Sequence, residues 1–143
     1  NMHLLGWIER DLSALPGYCR LVSEVSGIPL PDNYPVVGRD AFRTGTGVHA
    51  AAIIKARQKG DDWLADRIYA SVPASLVGRR QEIEVGPMSG ESNVLFWLTE
   101  RGMDTDRELV AAIFAHAKSA DKTLEEEEIL AICRAHGAVA RSA

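Results

Sequence analysis

The sequence has little of several features that would indicate particular classes of protein. Its 143 residues include two cysteines, Cys19 and Cys133, which lie far apart and outside any CxxC spacing. We therefore expect free thiols in a reducing cytoplasm and no disulfide framework. The net charge is -4, so the chain has no basic excess of the kind that binds nucleic acid or an anionic membrane surface.

Long apolar runs and metal-binding motifs are also missing. No stretch reaches the roughly 18 apolar residues that span a bilayer, and the first residues lack the basic n-region of a signal peptide. The four histidines show no HxH, HxxxH or HExxH spacing, which are the spacings typical of preassembled metal sites. We therefore expect a cytoplasmic protein whose chain holds no metal and has neither nucleic acid nor membrane as a partner.

The first half of the chain carries helical patterns separated by turn residues. The apolar spacing predicts helices over residues 4–25, 48–59 and 61–69. Pro16 and Gly17 are expected to interrupt or re-start the first of them, and Gly27 to end it. The segment 28–35 contains three prolines and predicts an extended linker.

The second half predicts one strand and three helices. QEIEV at 81–85 alternates polar and apolar residues and is the best strand candidate. A helix follows from Ser89 or Glu91 to Gly102, and two T-x-x-E capping boxes, Thr105–Glu108 and Thr123–Glu126, open the last two helices.

We therefore predict a mostly α fold (α+β with minimal strand) made of two small helical subdomains. The boundary is placed near Gly78, which gives residues 1–78 and 79–143. The second subdomain holds the short strand and the three-helix unit.

The chemistry-bearing feature is the stretch FRTGTGVHAAAIIK, which delivers His49 to the first turn of a helix. Gly45 and Gly47 let the backbone turn sharply and approach another surface closely. The helix start offers unpaired N–H groups and a partial positive charge that suit an anion or a developing oxyanion. A histidine there suits proton transfer near neutral pH. The alternative is that Thr46 or Thr44 only caps the helix and His49 only occupies its first turn.

Two further positions have a functional and a structural interpretation. Tyr69 has a phenol that can donate or accept a hydrogen bond near a substrate, although a tyrosine at a helix end more often packs against its neighbours. Ser89 opens the SGESN segment, where simple N-capping is the alternative to substrate binding.

Four segments in a fixed order carry a family resemblance. GRDAF, TGTGVHAAAIIKA, YASVPASLVGR and IEVGPMSGESNV together resemble the region that follows the catalytic barrel in 2-isopropylmalate synthases. The same region occurs in homocitrate and citramalate synthases, and the family condenses an acyl-CoA with a 2-oxo acid. The resemblance covers roughly residues 12–102. It implies a C-terminal region that works with its own catalytic barrel, which these 143 residues do not contain.

The resemblance also implies roles for individual residues. The family's Gly-x-His matches Gly47-Val48-His49, and its tyrosine matches Tyr69. In the family these two side chains cross a homodimer into the partner's active site. By that resemblance His49 would assist deprotonation of the acetyl-CoA methyl group or protonation of the new alkoxide, and Tyr69 would position or protonate the oxygen of the oxo acid.

The remaining expectations follow from the same resemblance. Thr46, Gly47 and Ser89 would lie at the substrate. No cofactor is expected in this stretch, because the divalent metal of the family belongs to the barrel. The chain departs from many relatives at Thr44, where they carry another histidine, and at Glu91, where some carry a basic residue.

The leading hypothesis is therefore the C-terminal region of a 2-isopropylmalate synthase-like enzyme of leucine biosynthesis, inactive without its barrel. A homocitrate or citramalate synthase is the alternative within the family. A non-catalytic dimerisation or regulatory module is the alternative of another class.

Overall fold

A computed structural model describes residues 1–138 of the chain. Its α-helices are α1 Leu15–Ser26, α2 Gly47–Gln58, α3 Asp62–Ala65, α4 Glu91–Glu100, α5 Arg107–Ser119 and α6 Glu126–Ala135. A 3-10 helix covers Ala74–Val77, and two short strands are β1 Arg43–Thr44 and β2 Glu82–Ile83. Over this part of the chain the fold is mostly α with minimal strand, as predicted.

The two strands form a parallel pair. The Glu82 amide donates to the Phe42 carbonyl and the Glu84 amide donates to the Thr44 carbonyl, each at 2.9 Å. Donor and acceptor both advance by two residues in the same direction, which is the pattern of a parallel ladder. The strand predicted over 81–85 is therefore present but shorter, because β1 offers it only two residues of pairing.

The chain divides into two compact units that are interleaved in sequence. The first unit contains residues 1–43 and 62–82, and the second contains residues 44–61 and 83–138 of the described chain. This division differs from the single boundary expected near Gly78. The difference arises because α2 packs on α4, which places the helix that carries His49 among the C-terminal elements.

The second unit has a continuous apolar core. Helix α4 packs on α5, and α5 packs on α6. Each helix contributes apolar residues spaced three or four apart, so one face of each is buried. The core consists of Val85, Val94, Trp97, Leu98, Leu109, Val110, Ile113, Ala117, Leu124, Ile129 and Cys133.

The first unit buries much less. Helix α1 begins at Leu15, and the preceding residues 1–14 form turns and irregular chain, so the helix predicted from residue 4 is wrong over its first half. Pro16 lies in the first turn of α1, where its missing N–H costs no hydrogen bond. Gly27 ends the helix at a φ of 69°, as predicted. Pro16 is the buried residue of α1, and the helix leaves Tyr18, Leu21, Val22 and Val25 exposed.

Both predicted capping boxes are displaced by one or two residues. Asp106, not Thr105, caps α5, and its carboxylate accepts from the Glu108 amide at 2.9 Å. At α6 the Glu125 amide donates to the Glu128 carboxylate at 2.7 Å. Carboxylates at these positions also face the positive end of the helix dipole, which favours them over the threonines.

Between residues 1 and 138, no helix is both long enough and apolar enough to cross a membrane.

Candidate functional site

In the second unit, Gly45, Thr46 and Gly47 form a turn, called the GTG turn below. This turn packs closely against the loop at residues 86–90, GPMSG. The Gly47 amide donates to the Met88 carbonyl at 2.9 Å. A Cβ on residue 47 would lie 2.8 Å from the Gly90 nitrogen and 3.3 Å from its Cα. Residue 47 must therefore be glycine, because the two backbones leave no room for a side chain. The GTG turn and the GPMSG loop belong to two of the segments that carry the family resemblance, and their backbones are in direct contact.

Ser89 completes this contact. Its side chain is buried, with the residue only 3% exposed. The Ser89 Oγ accepts from the Gly86 amide at 2.9 Å and lies 2.7 Å from the Gly45 carbonyl, to which it donates. These bonds tie the GTG turn to the loop and account for a buried hydroxyl at this position. The predicted contact of Ser89 with substrate stays a prediction.

Two further residues support the same loop: Asn93, which belongs to the predicted capping segment SGESN, and Lys118, which sequence reasoning missed. Asn93 is fully buried in the first turn of α4, where its side-chain amide donates to the Glu84 carbonyl at 2.8 Å and its Oδ1 accepts from the Gly90 amide at 3.2 Å. Lys118 of α5 donates to the Pro87 carbonyl at 2.8 Å and the Ser89 carbonyl at 2.7 Å. Lys118 has no local sequence signal, since its partners lie about 30 residues away.

Thr123 presses on the loop from another direction. A Cβ on Gly86 would lie 2.9 Å from the Thr123 Cα, and a Cβ on Gly45 would lie 3.2 Å from the Thr123 Cγ2. The Leu124 amide donates to the Val85 carbonyl at 2.8 Å. Thr123 is therefore part of the support of the turn and does not begin α6, which explains why the predicted capping box there is wrong.

The turn delivers His49 to the first turn of α2, with its side chain exposed. Thr46 occupies the N-cap position in extended conformation, but its side chain makes no capping hydrogen bond. The first turn of α2 carries no acidic residue. The partial positive charge of the helix start is therefore not offset by a carboxylate within that turn. His49 thus lies in the first turn of a helix whose start is held by hydrogen bonds and favours negative charge.

Tyr69 belongs to the first unit, not to the unit of His49. It is 50% exposed and lies in the turn after α3. The turn is held at its base by Asp66, whose Oδ1 accepts from the Ala74 amide at 2.8 Å and whose Oδ2 accepts from the Ser75 hydroxyl at 2.6 Å. The Asp66 carbonyl also accepts from the Gln81 side chain at 3.3 Å. The loop that presents Tyr69 is therefore closed by side-chain hydrogen bonds at both ends.

Among residues 1–138, no group of three or more histidine, cysteine, aspartate or glutamate side chains is arranged to hold a metal ion.

No protein-family model matches the chain, but curated proteins do. Homocitrate synthase of Pyrococcus horikoshii is 34% identical over 113 residues, which are 75% of this chain and 28% of that protein. (R)-citramalate synthase of Aquifex aeolicus is 33% identical over 98 residues, 68% of this chain and 17% of that protein. A probable 2-isopropylmalate synthase of Ignicoccus hospitalis is 31% identical over 98 residues, 68% of this chain and 22% of that protein.

These relatives share one family, and the interlocked glycine turn described above lies in the segments that resemble it. The chain belongs to the family of homocitrate, citramalate and 2-isopropylmalate synthases. It spans only 17–28% of the length of these three relatives.

Proposed function

We propose that this chain is the C-terminal, post-barrel region of an enzyme that condenses acetyl-CoA with a 2-oxo acid, of the 2-isopropylmalate type. The observation that carries the proposal is the position of His49. It is exposed on the first turn of a helix whose start is fixed by the Gly47–Met88 and Ser89–Gly45 hydrogen bonds. Family membership supplies the chemistry that such a histidine would serve.

In this proposal His49 moves a proton during carbon–carbon bond formation. The methyl group of acetyl-CoA must lose a proton to become a nucleophile, and the carbonyl oxygen of the oxo acid must gain one when the bond forms. An imidazole can accept or donate a proton, and so it is suited to either step. Water then cleaves the thioester and releases CoA.

Tyr69 would serve the oxygen of the oxo acid, as a donor that positions or protonates it. Its half-exposed ring and the closed loop beneath it support a presented side chain. Thr46, Gly47 and Ser89 would frame the helix start that meets the substrate. The divalent metal expected for the complete enzyme would be held by the barrel, outside this chain.

The first unit supports the proposal that this chain works inside a larger assembly. Leu21 and Val25 of α1 are 57% and 81% exposed. Apolar surface of this extent is unusual for an isolated domain and favours a covering partner. We propose that the chain's own barrel and a second copy of the enzyme provide that cover, as a homodimer in the cytoplasm.

The test is release of CoA by the full-length protein, measured with acetyl-CoA and a panel of 2-oxo acids. Removing the acetate unit from each product identifies the acids: 2-oxoisovalerate for 2-isopropylmalate, 2-oxoglutarate for homocitrate and pyruvate for citramalate. We expect thiol release that depends on 2-oxoisovalerate. Preference for another acid would replace the 2-isopropylmalate assignment with homocitrate or citramalate synthase.

Absence of CoA release with every acid would contradict the enzymatic proposal and favour a non-catalytic dimerisation or regulatory module. The identities with the three kinds of synthase lie between 31% and 34%. That range is too narrow to choose between the acids, so the panel is decisive.

A further inference from the structure

A cleft of about 470 Å³ lies within the first unit, at the start of α1. Three separate chain segments form its walls: the beginning of α1, the loop before β1, and the end of the 3-10 helix. Each segment contributes one arginine, and these are Arg20, Arg39 and Arg79. The cleft is therefore lined by three cationic side chains in a chain whose net charge is -4.

The arginines of the cleft are held in different ways. Arg79 is held by backbone acceptors: its guanidinium donates to the Gly38 carbonyl at 2.6 Å and to the Arg39 carbonyl at 3.3 Å. These acceptors are neutral and leave its charge in place, while the Glu82 carboxylate is 3.8 Å away. Arg39 pairs with Asp32 at 3.3 Å and with Asp40 at 3.6 Å. All three side chains are at least 50% exposed, so these pairs are weak.

The start of α1 adds to the positive character of the cleft. Its first turn carries no acidic residue, and no side chain caps it. Ser13 and Gly17 of this segment line the cleft together with Arg20. Among the residues that line the cleft in the described chain, none carries a carboxylate.

We propose that this cleft binds a phosphate group of a small molecule. Guanidinium groups present paired N–H donors that match phosphate oxygens. Three of them line this cleft, and a phosphate group has more oxygens to accept their N–H groups than a carboxylate has. This site is separate from the proposed roles of His49 and Tyr69 and does not depend on the condensation reaction.

The experiment measures binding of inorganic pyrophosphate to the 143-residue chain by titration calorimetry. The first variant is Arg20→Gln, because Arg20 is exposed on α1 and its loss leaves the core untouched. We expect about tenfold weaker binding, as for one lost charge-assisted hydrogen bond. The matched control is Arg80→Gln, which removes the same charge from an exposed residue outside the cleft and should change the affinity less than about twofold.

A second variant separates binding from folding. A Cβ on Gly17 would meet no atom within 4 Å, so Gly17→Asp should fold normally. Its carboxylate would face the helix start and occupy the cleft in place of the ligand. We expect an unfolding temperature no lower than that of the parent chain, with pyrophosphate binding weakened about tenfold or more.

A further arm identifies the source of the phosphate. Tighter binding of CoA than of ADP would assign the cleft to a phosphate of the acyl carrier, and tighter binding of ADP would assign it to a free nucleotide. Absence of saturable pyrophosphate binding at millimolar concentration would overturn the proposal. Equal weakening by Arg20→Gln and Arg80→Gln would also overturn it, because the binding would then follow net charge only.

Discussion

The two units of the chain differ in the size of the apolar side chains that they bury. The second unit buries most of its large apolar side chains, including Leu98, Ile113 and Ile129, each at most 1% exposed, and leaves Val48, Met88 and Leu95 exposed. In the first unit the buried apolar side chains among the described residues are small ones, Pro16, Ala65, Pro73, Ala74 and Val77, whereas Trp7, Tyr18 and Val25 are exposed. The second unit thus supplies its own stability, and the first presents a surface that we propose is covered in the complete enzyme.

The largest expected effect is on the free energy of unfolding, when a leucine is replaced by alanine in each unit in turn. Leu98→Ala in α4 removes a side chain that is 0% exposed, and we expect a loss of about 2–5 kcal/mol in the free energy of unfolding. Leu21→Ala in α1 alters a side chain that is 57% exposed, and we expect a change of less than about 0.5 kcal/mol. Urea unfolding followed by circular dichroism measures both.

Equal losses for the two leucine variants would contradict the comparison. In the full-length protein the difference should narrow, because the face of α1 that carries Leu21 would be covered there.

The next largest effect on the free energy of unfolding is expected from a substitution in the GTG turn. Gly47→Ala places a methyl group 2.8 Å from the Gly90 nitrogen, and we expect a destabilisation of about 1–3 kcal/mol, as for other overpacked sites. Gly17→Ala is the control, since both glycines lie in the first turn of a helix and a Cβ on Gly17 meets nothing. The free energy of unfolding of that variant should rise by up to about 1 kcal/mol. If Gly47→Ala is as stable as the parent chain, the close contact between residues 47 and 90 does not fix the start of α2.

The smallest expected effect concerns the two thiols. Burial raises the pKa of Cys133 above its ordinary value of 9.0. The folded state therefore holds this proton more tightly than the unfolded state. The resulting stabilisation is complete below pH 9 and is lost as the pH rises through the higher pKa of the folded protein. We expect a modest fall in the free energy of unfolding above pH 9.

Alkylation provides the matching control. Cys19 in the first unit is only half-buried, whereas Cys133 lies in the core. Iodoacetamide should modify Cys19 first at every pH at which the chain is folded. Faster reaction of Cys133 would show that the core of the second unit opens readily, against the contrast drawn above.

The sequence predicted the elements of the second unit better than those of the first. Helices α5 and α6 follow from apolar spacing because packing and pattern agree, as at Leu109 and Ile113. Residues 4–14 have the same apolar spacing, but none of them is fully buried, and they form turns and irregular chain instead.

The support of the candidate site was only partly predictable. The need for glycine at position 47 follows from a close backbone approach that the TGTG pattern indicates. The bonds from Lys118 and the packing of Thr123 could not be predicted, since each joins segments about 30 or more residues apart. The placement of Asn93 beneath the loop likewise depends on the tertiary fold.

The roles of His49 and Tyr69 remain predictions, and the two residues belong to different units. His49 stands on backbone held by the Gly47–Met88 and Ser89–Gly45 hydrogen bonds. Tyr69 belongs to the first unit and depends on the loop closed by Asp66.

The most direct test is the turnover of the full-length protein carrying His49→Ala, measured as CoA release at saturating acetyl-CoA and oxo acid. We predict a fall in kcat of about 10²–10⁴-fold with a small change in the KM for the oxo acid, as for loss of a proton-transferring group. His116→Ala, an exposed histidine on α5 of the same unit, should leave kcat unchanged. An unaltered kcat in His49→Ala would contradict the catalytic role of this histidine.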